Sequence, residues 1–178
     1  CISHHLGCRY YVGTWKDEKF YPENHACMSF ADNTFFAPES LLTPDGRRVM
    51  WAWLFDARSQ EVVQKSGWSG MMSLPRELFM RKDHTLGMRP VSELRSLRYN
   101  EKLYAAQNIS KVTPLTGAAG DVKEIVVEID SREATKCGVR ILESQDGKEY
   151  GEGYYDVAGK KLVLDMSRLN AIRMAPVT

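Results

Sequence analysis

The first half of the chain alternates aromatic or β-branched residues with conspicuous polar loops. Arg9–Trp15 is rich in aromatic and β-branched residues, which favour strands, and the polar residues 16–19 predict a hairpin tip. Phe20–Pro22 predicts a short extended piece, and residues 22–25 predict a loop. In residues 35–42 the proline at position 38 argues against a helix and favours extended geometry for the residue before it.

A second hairpin is predicted around the turn Thr43-Pro44-Asp45-Gly46, with proline at its first corner and glycine at its exit. The returning strand, residues 47–55, is apolar on both faces, which predicts that it lies in the interior of its sheet. Residues 56–65 are polar and predict either an excursion or a short helical turn. Residues 78–81 and 85–90 predict two further extended pieces.

A helical segment precedes a change of pattern after Tyr99. Residues 91–98 predict two helical turns, with Val91, Leu94 and Leu97 on one face. Beyond them the chain predicts a plain meander joined by an Asp-Gly hairpin turn and a second turn at Ala158–Lys160. Its predicted strands are residues 124–129, 137–143, 150–157 and 161–165. Strands at this spacing are typical of a β-sandwich.

Composition places the chain among ordinary globular proteins. It has 178 residues, 43% hydrophobic and 26% charged, which suits one domain or two small ones. The net charge of +1 indicates neither a nucleic-acid nor a membrane partner, and no apolar run is long enough to cross a bilayer. The chain begins with Cys1 rather than Met and stops without a polar tail. We therefore expect a part of something longer, with a processed mature chain as the alternative.

The cysteines predict free, partly buried thiols. They number four, contain no Cys-x-x-Cys pair and are too sparse for a disulfide scaffold. A zinc site is a weaker alternative, because the neighbouring histidines and cysteine lack a standard ligand spacing. The residues concerned are His4, His5, Cys8 and His25. No cofactor or metal is therefore predicted.

Three motifs in one order carry a resemblance to a known family. They are Phe-Phe-Ala-Pro-Glu-Ser at 35–40, Asp-Gly-Arg-Arg-Val-Met-Trp-Ala-Trp at 45–53, and Trp-Ser-Gly at 68–70 followed by Leu-Pro-Arg-Glu-Leu at 74–78. Together they resemble glycoside hydrolase family 32, the invertases, levanases and inulinases. Residues 7–13 also fit a strand of that family.

The resemblance implies an all-β fold, in which the last blades of a five-bladed β-propeller are joined by a short helix to part of a C-terminal β-sandwich. Residues 1–88 would be the propeller portion, 89–98 the linker helix and 99–178 the first part of the sandwich.

The family cleaves terminal β-fructosidic bonds in sucrose or fructans such as levan and inulin with retention, using one carboxyl group as nucleophile and another as acid/base. Its motifs Trp-Met-Asn-Asp-Pro-Asn, Arg-Asp-Pro and Glu-Cys are all absent from this sequence. The Glu-Cys motif would fall shortly before Cys1, so we expect the chain to begin just after the last catalytic residue. The resemblance therefore implies no catalytic residue here and an inactive isolated chain.

The expected partners are a fructose-containing oligo- or polysaccharide and the missing N-terminal propeller part, and the resemblance favours a secreted or periplasmic parent. The family has aromatic rings at the positions of Phe36, where Tyr is common, and Trp53, and the resemblance implies that sugar faces stack on them. Asp32 and Glu39 are further substrate-binding candidates, because carboxylates accept hydrogen bonds from sugar hydroxyls.

Each candidate has a structural alternative. The alternation of Trp51 and Trp53 along one strand is also typical of core residues, and the two carboxylates also suit a surface or a turn. Arg76 and Glu77 are predicted to tie loops together at a domain boundary. A carbohydrate-binding or structural β module remains open as an alternative function, with Tyr154 as a candidate exposed aromatic. An unrelated propeller–sandwich interaction protein is the third possibility.

Overall fold

The computed structural model describes residues 2–4, 7–29, 34–56, 58–120 and 122–169. The chain divides into two compact units, residues 1–97 and residues 98–178, and β-strands make up most of the regular structure in both. No helix in these ranges is long and apolar enough to cross a membrane.

The first sheet of the first unit contains three antiparallel strands in the order β1-β2-β3. These are β1 (Ile2–His4), β2 (Gly7–Lys16) and β3 (Lys19–Cys27), and the turn between β2 and β3 confirms the predicted hairpin tip. The loop predicted at 22–25 is wrong, because β3 runs through it. Pro22 is tolerated there because β3 is an edge strand and its register with β2 shifts beside this residue.

The second sheet is an antiparallel meander in the order β4-β5-β7-β8, as in a propeller blade. Its strands are β4 (Phe35–Leu42), β5 (Arg48–Leu54), β6 (Met71–Met72), β7 (Arg76–Met80) and β8 (Leu86–Pro90). The hairpin predicted around residues 43–46 is confirmed. β5 pairs with β4 on one side and with both β6 and β7 on the other, which confirms its predicted interior position.

β6 and β7 are the two halves of one broken strand, and the buried Ser73 bridges the break. Its backbone amide donates to the carbonyl oxygen of Ala52 over 2.8 Å. In return the Ala52 amide donates to the Ser73 hydroxyl oxygen over 3.0 Å. The side chain thus replaces a missing strand partner and satisfies a buried backbone amide of β5.

The core of the first unit lies where the two sheets meet. Met50 and Ala52 of β5 are 0% and 1% exposed. They cluster with the buried residues Cys8, Tyr10, Met28 and Phe35. Because side chains alternate along a strand, Trp51 and Trp53 lie on the opposite face of β5.

The described part of the first unit also contains two short helices. Helix α1 (Gln60–Ser66) confirms the predicted helical turn; Ser59 caps its start, and Gly67 at φ +73° ends it. A 3₁₀ helix spans Ser92–Leu97 within the predicted helical segment. The predicted apolar face is only partly buried, since Leu97 is 69% exposed.

Among the residues described in the second unit, three strands form an antiparallel sheet in the order β11-β10-β9. Its strands β9 (Lys136–Ile141), β10 (Gly151–Asp156) and β11 (Lys161–Asp165) confirm three of the four predicted strands. The strand predicted at 124–129 is wrong, because this segment pairs with no strand of the described residues and forms no ladder. Its β-branched residues favour a strand, but a strand also needs a neighbour to satisfy its backbone.

Candidate functional site

The candidate site begins with a cross-strand pair. Phe36 at the start of β4 lies directly opposite Trp53 near the end of β5. The register then shifts before Glu39, which lies opposite Trp51. Within this bulge Ala37 has φ +43°, a left-handed conformation that costs energy for a residue with a side chain. The bulge lets Phe36 and Glu39, three residues apart, both lie opposite the tryptophans.

A third ring joins this pair. Phe55 stacks on Trp53, with ring centroids 4.6 Å apart and 28° between planes. It also meets Phe36 edge-on at 5.6 Å and 77°. We call Phe36, Trp53 and Phe55 the aromatic wall. Trp53 and Phe55 remain 43% and 46% exposed, so the wall offers an apolar surface to a ligand. Sequence reasoning missed Phe55, although its spacing of two residues from Trp53 on a strand was the available signal.

Gly70 packs against the edge of the Trp53 indole. A methyl group at this position would lie 2.3 Å from Trp53 Nε1 and 3.2 Å from the Leu54 carbonyl oxygen. The backbone of Gly70 also has φ +66°, which favours glycine. The Trp-Ser-Gly motif therefore includes a direct support of the aromatic wall.

A buried ion pair lies next to this contact. Arg58 Nη2 lies 2.6 Å from Asp56 Oδ2, and the two side chains are only 5% and 8% exposed. Hydrogen bonds from Arg58 hold the pKa of Asp56 well below its ordinary value. The Gly70 amide also donates to this carboxylate, over 3.3 Å. Sequence reasoning treated residues 56–65 as a polar excursion or a short helical turn and missed the ion pair, because the pair contacts Trp68 and Gly70, which come later in the chain.

Of the two carboxylate candidates, the structure describes only Glu39. Glu39 is exposed, and its carboxylate forms no hydrogen bond or ion pair with the described part of the chain. Asp32 lies outside the described residues. The structure therefore brings Phe36 and Trp53 together and adds Phe55. It shows no polar contact between Glu39 and these three side chains.

Arg76 and Glu77 of the Leu-Pro-Arg-Glu-Leu motif make their side-chain contacts within the first unit. Glu77 accepts from Arg89 across β7 and β8, over 2.7 Å, and the Arg76 guanidinium lies 4.7 Å from the Phe35 ring centroid. The prediction that Arg76 and Glu77 tie loops at a domain boundary is therefore wrong. Arg47 instead makes the contact between the β4–β5 turn and the 3₁₀ helix, by donating to the Glu93 carboxylate over 2.6 Å.

The thiols and histidines form no candidate metal centre. Cys8, Cys27 and Cys137 are free, as predicted, and burial raises the pKa of Cys8. Within the described ranges no group of three or more His, Cys, Asp or Glu side chains is arranged to hold a metal ion. The structure describes only the backbone of His4, and His5 lies outside the described ranges.

Comparison with known proteins places this geometry in a family. The family model "Glycosyl hydrolases family 32 N-terminal domain" matches residues 2–90, which contain both sheets and the aromatic wall. The chain belongs to glycosyl hydrolase family 32.

Solved members show the same fold class. Fructan 1-exohydrolase IIa from Cichorium intybus in complex with 1-kestose has a TM-score of 0.52 at 24% identity, covering 66% of this chain and 28% of that one. The family 32 protein of Bifidobacterium adolescentis has a TM-score of 0.50 at 19% identity, covering 88% and 25%.

The sequence relatives are longer family 32 proteins. The sucrose-6-phosphate hydrolase of Zymomonas mobilis is 27% identical over 174 residues, which cover 94% of this chain and 34% of the relative. The levanase of Bacillus subtilis is 28% identical over 180 residues, covering 93% and 26%. The raffinose invertase of Escherichia coli is 45% identical over 64 residues, covering 36% and 13%. The chain thus spans 34% or less of the length of these relatives.

Proposed function

We propose that this chain is part of a retaining glycoside hydrolase that cleaves terminal β-fructosidic bonds in sucrose or fructans. Within that enzyme it contributes a wall of the sugar-binding site and none of the catalytic carboxyl groups. The match of residues 2–90 to the family, together with the cross-strand pair of half-buried Phe36 and exposed Trp53, carries this proposal. The boundaries at 1–88, 89–98 and 99–178 for propeller, linker and sandwich belong to the same proposal.

The aromatic wall suits a fructosyl unit for a simple chemical reason. The C–H groups on one face of a sugar ring are apolar and pack on an aromatic ring, while the hydroxyl groups at its rim remain free for polar partners. Phe36 has no hydroxyl group and supplies only such packing. The wall is therefore proposed to bind the sugar face, and groups elsewhere must fix its orientation.

The chemistry needs two carboxyl groups about 5–5.5 Å apart across the glycosidic bond of a retaining enzyme. Glu39 is the carboxylate candidate that the structure describes, and within the described ranges its side chain is not paired with a second carboxylate. The three carboxylate motifs of the family are also absent from the sequence. We therefore expect the isolated chain to hydrolyse no fructoside.

The substrate class is proposed from the relatives. Their names include sucrose 6-phosphate and levan, and one solved relative contains 1-kestose. These compounds share a fructosyl unit, so we propose fructose-containing oligo- or polysaccharides as the ligand class. The rest of the propeller is the proposed protein partner.

Two assays test the proposal. First, incubation of the chain with sucrose, inulin and levan should release no fructose, and robust turnover would refute the absence of catalytic groups. Second, a titration with sucrose should move the indole N–H resonance of Trp53, with maltose, which lacks a fructosyl unit, as the control sugar. Trp15, 70% exposed on β2, is an internal control. A Trp53 resonance that responds to neither sugar, or equally to both, would contradict the proposed site.

A further inference from the structure

We propose that Asp56 and Arg58 are positioning residues, whose buried ion pair fixes the Trp68–Gly70 segment against the Trp53 indole and so sets the orientation of the aromatic wall. The inference rests on the proposed function of that wall as a sugar contact. Neither side chain is assigned a direct contact with substrate.

The pair has the geometry of a rigid clamp. Arg58 Nε donates to Asp56 Oδ1 over 2.8 Å, while Nη2 donates to Oδ2 over 2.6 Å. The Arg58 backbone amide also donates to Oδ1, over 3.0 Å. A two-pronged contact of this kind fixes both planes, which a lysine ammonium is unable to do. At 5% and 8% exposure the two groups are also shielded from water.

The clamp holds both ends of the Trp68–Gly70 segment. At one end Arg58 Nη2 donates to the Trp68 carbonyl oxygen over 3.2 Å. The same guanidinium lies 4.0 Å from the centroid of the Trp68 ring, within range of a cation–π contact. At the other end the Gly70 amide donates to Asp56 Oδ2 over 3.3 Å. The segment is therefore located by two backbone hydrogen bonds and one stacked ring.

The segment in turn locates the wall. Gly70 packs so closely on the Trp53 edge that a single added carbon would lie 2.3 Å from Nε1. Since Phe55 stacks on Trp53 and meets Phe36, a displacement of the indole reaches all three rings. Movement of the clamp is thus transmitted to the proposed sugar-contacting surface through one direct contact.

A purely structural role is the competing explanation. Arg58 Nη1 also donates to Ser66 Oγ over 3.3 Å, so the pair anchors the end of helix α1 as well. A loss of stability alone would not separate the two roles. The test therefore needs readouts at Trp53 and in sugar affinity.

The variant Arg58→Lys keeps the positive charge and loses the two-pronged contact. We expect it to shift the Trp53 indole resonance, assigned with Trp53→Phe, and to weaken sucrose binding about tenfold in the same titration, equivalent to about 1.4 kcal/mol. The control is Lys65→Gln, which removes the exposed pair between Lys65 and Glu61 on helix α1. It should leave the Trp53 resonance and sucrose affinity unchanged.

The possible results separate this inference from the proposed function. If Arg58→Lys lowers the unfolding midpoint but leaves the Trp53 resonance and sucrose affinity as in Lys65→Gln, the positioning role is refuted. If it shifts the resonance while neither it nor the unmodified chain binds sucrose, the clamp on Trp53 stands and the proposed function fails. Should Arg58→Lys fail to fold, Asp56→Glu, which retains the charge pair but displaces it by one methylene, decides the question with the same two readouts.

Discussion

The substitution Gly70→Ala tests the packing of the aromatic wall most sharply, because the chain contains a matched control. Gly70 and Gly67 have similar left-handed backbones, with φ +66° and +73°. A methyl group at Gly67 would meet no atom within 4 Å, whereas one at Gly70 would lie 2.3 Å from Trp53 Nε1. The two variants therefore share the cost of the backbone and differ in the contact with Trp53.

The magnitudes follow from that difference. A left-handed backbone costs a residue with a side chain about 1–2 kcal/mol, and both variants incur it. In Gly70→Ala the methyl group or the indole must also move by roughly 1 Å to reach an ordinary contact distance. Overpacking of this kind costs about 1–3 kcal/mol. We therefore expect Gly70→Ala to destabilise the first unit by about 1–3 kcal/mol more than Gly67→Ala does.

Urea unfolding followed by tryptophan fluorescence is the appropriate assay. All four tryptophans lie between positions 15 and 68, so the signal reports the first unit alone. The indole resonance of Trp53 should also shift in Gly70→Ala and stay in place in Gly67→Ala. Equal loss of stability in the two variants, with an unmoved Trp53 resonance, would refute the packing of Gly70 against this ring.

Three further predictions concern the first unit. Ser73→Ala should cost about 1–3 kcal/mol in urea unfolding, because it leaves a buried β5 amide without its acceptor; a near-zero change would contradict the bridging role. Met50→Ala, at a fully buried position, should cost about 2–5 kcal/mol in the same assay, and Met80→Ala, at 54% exposure, less than about 0.5 kcal/mol. Asp56, with its lowered pKa, stabilises the folded state above about pH 4. That contribution should be lost as the pH falls toward the folded-state pKa, because the unfolded chain then binds a proton that the folded chain does not. The free energy of unfolding, measured from about pH 7 to 3, should therefore depend less steeply on pH in Asp56→Asn than in the unmodified chain. An equally steep dependence in both would contradict this role of Asp56.

The parts of the fold that were predictable rest on local signals. The turn at 43–46 has its proline and glycine at the positions that a β-turn requires, and the apolar run after it indicates an interior strand. The strands β9 to β11 were predictable for the same reason, because the sequence has turn residues between alternating segments. The family resemblance named Phe36 and Trp53 separately as rings for sugar stacking, and their pairing across β4 and β5 came from the structure.

The remaining features depend on partners that a local pattern does not specify. The segment 124–129 has the β-branched residues that strands prefer, but it finds no neighbour among the described residues, so local composition alone misled. Pro22 suggested a loop, and its position on an edge strand beside a register shift made extended structure possible. The pair Asp56–Arg58 gains its role only when the chain returns at Trp68–Gly70.

The most direct test of the account is a set of intermolecular nuclear Overhauser effects between 1-kestose and this chain. We expect contacts from fructosyl protons to the indole of Trp53 and the ring of Phe36, and the loss of both sets in Trp53→Ala. Contacts confined to Trp15 on the other sheet, or contacts that persist unchanged in Trp53→Ala, would contradict the claim that the aromatic wall binds the sugar.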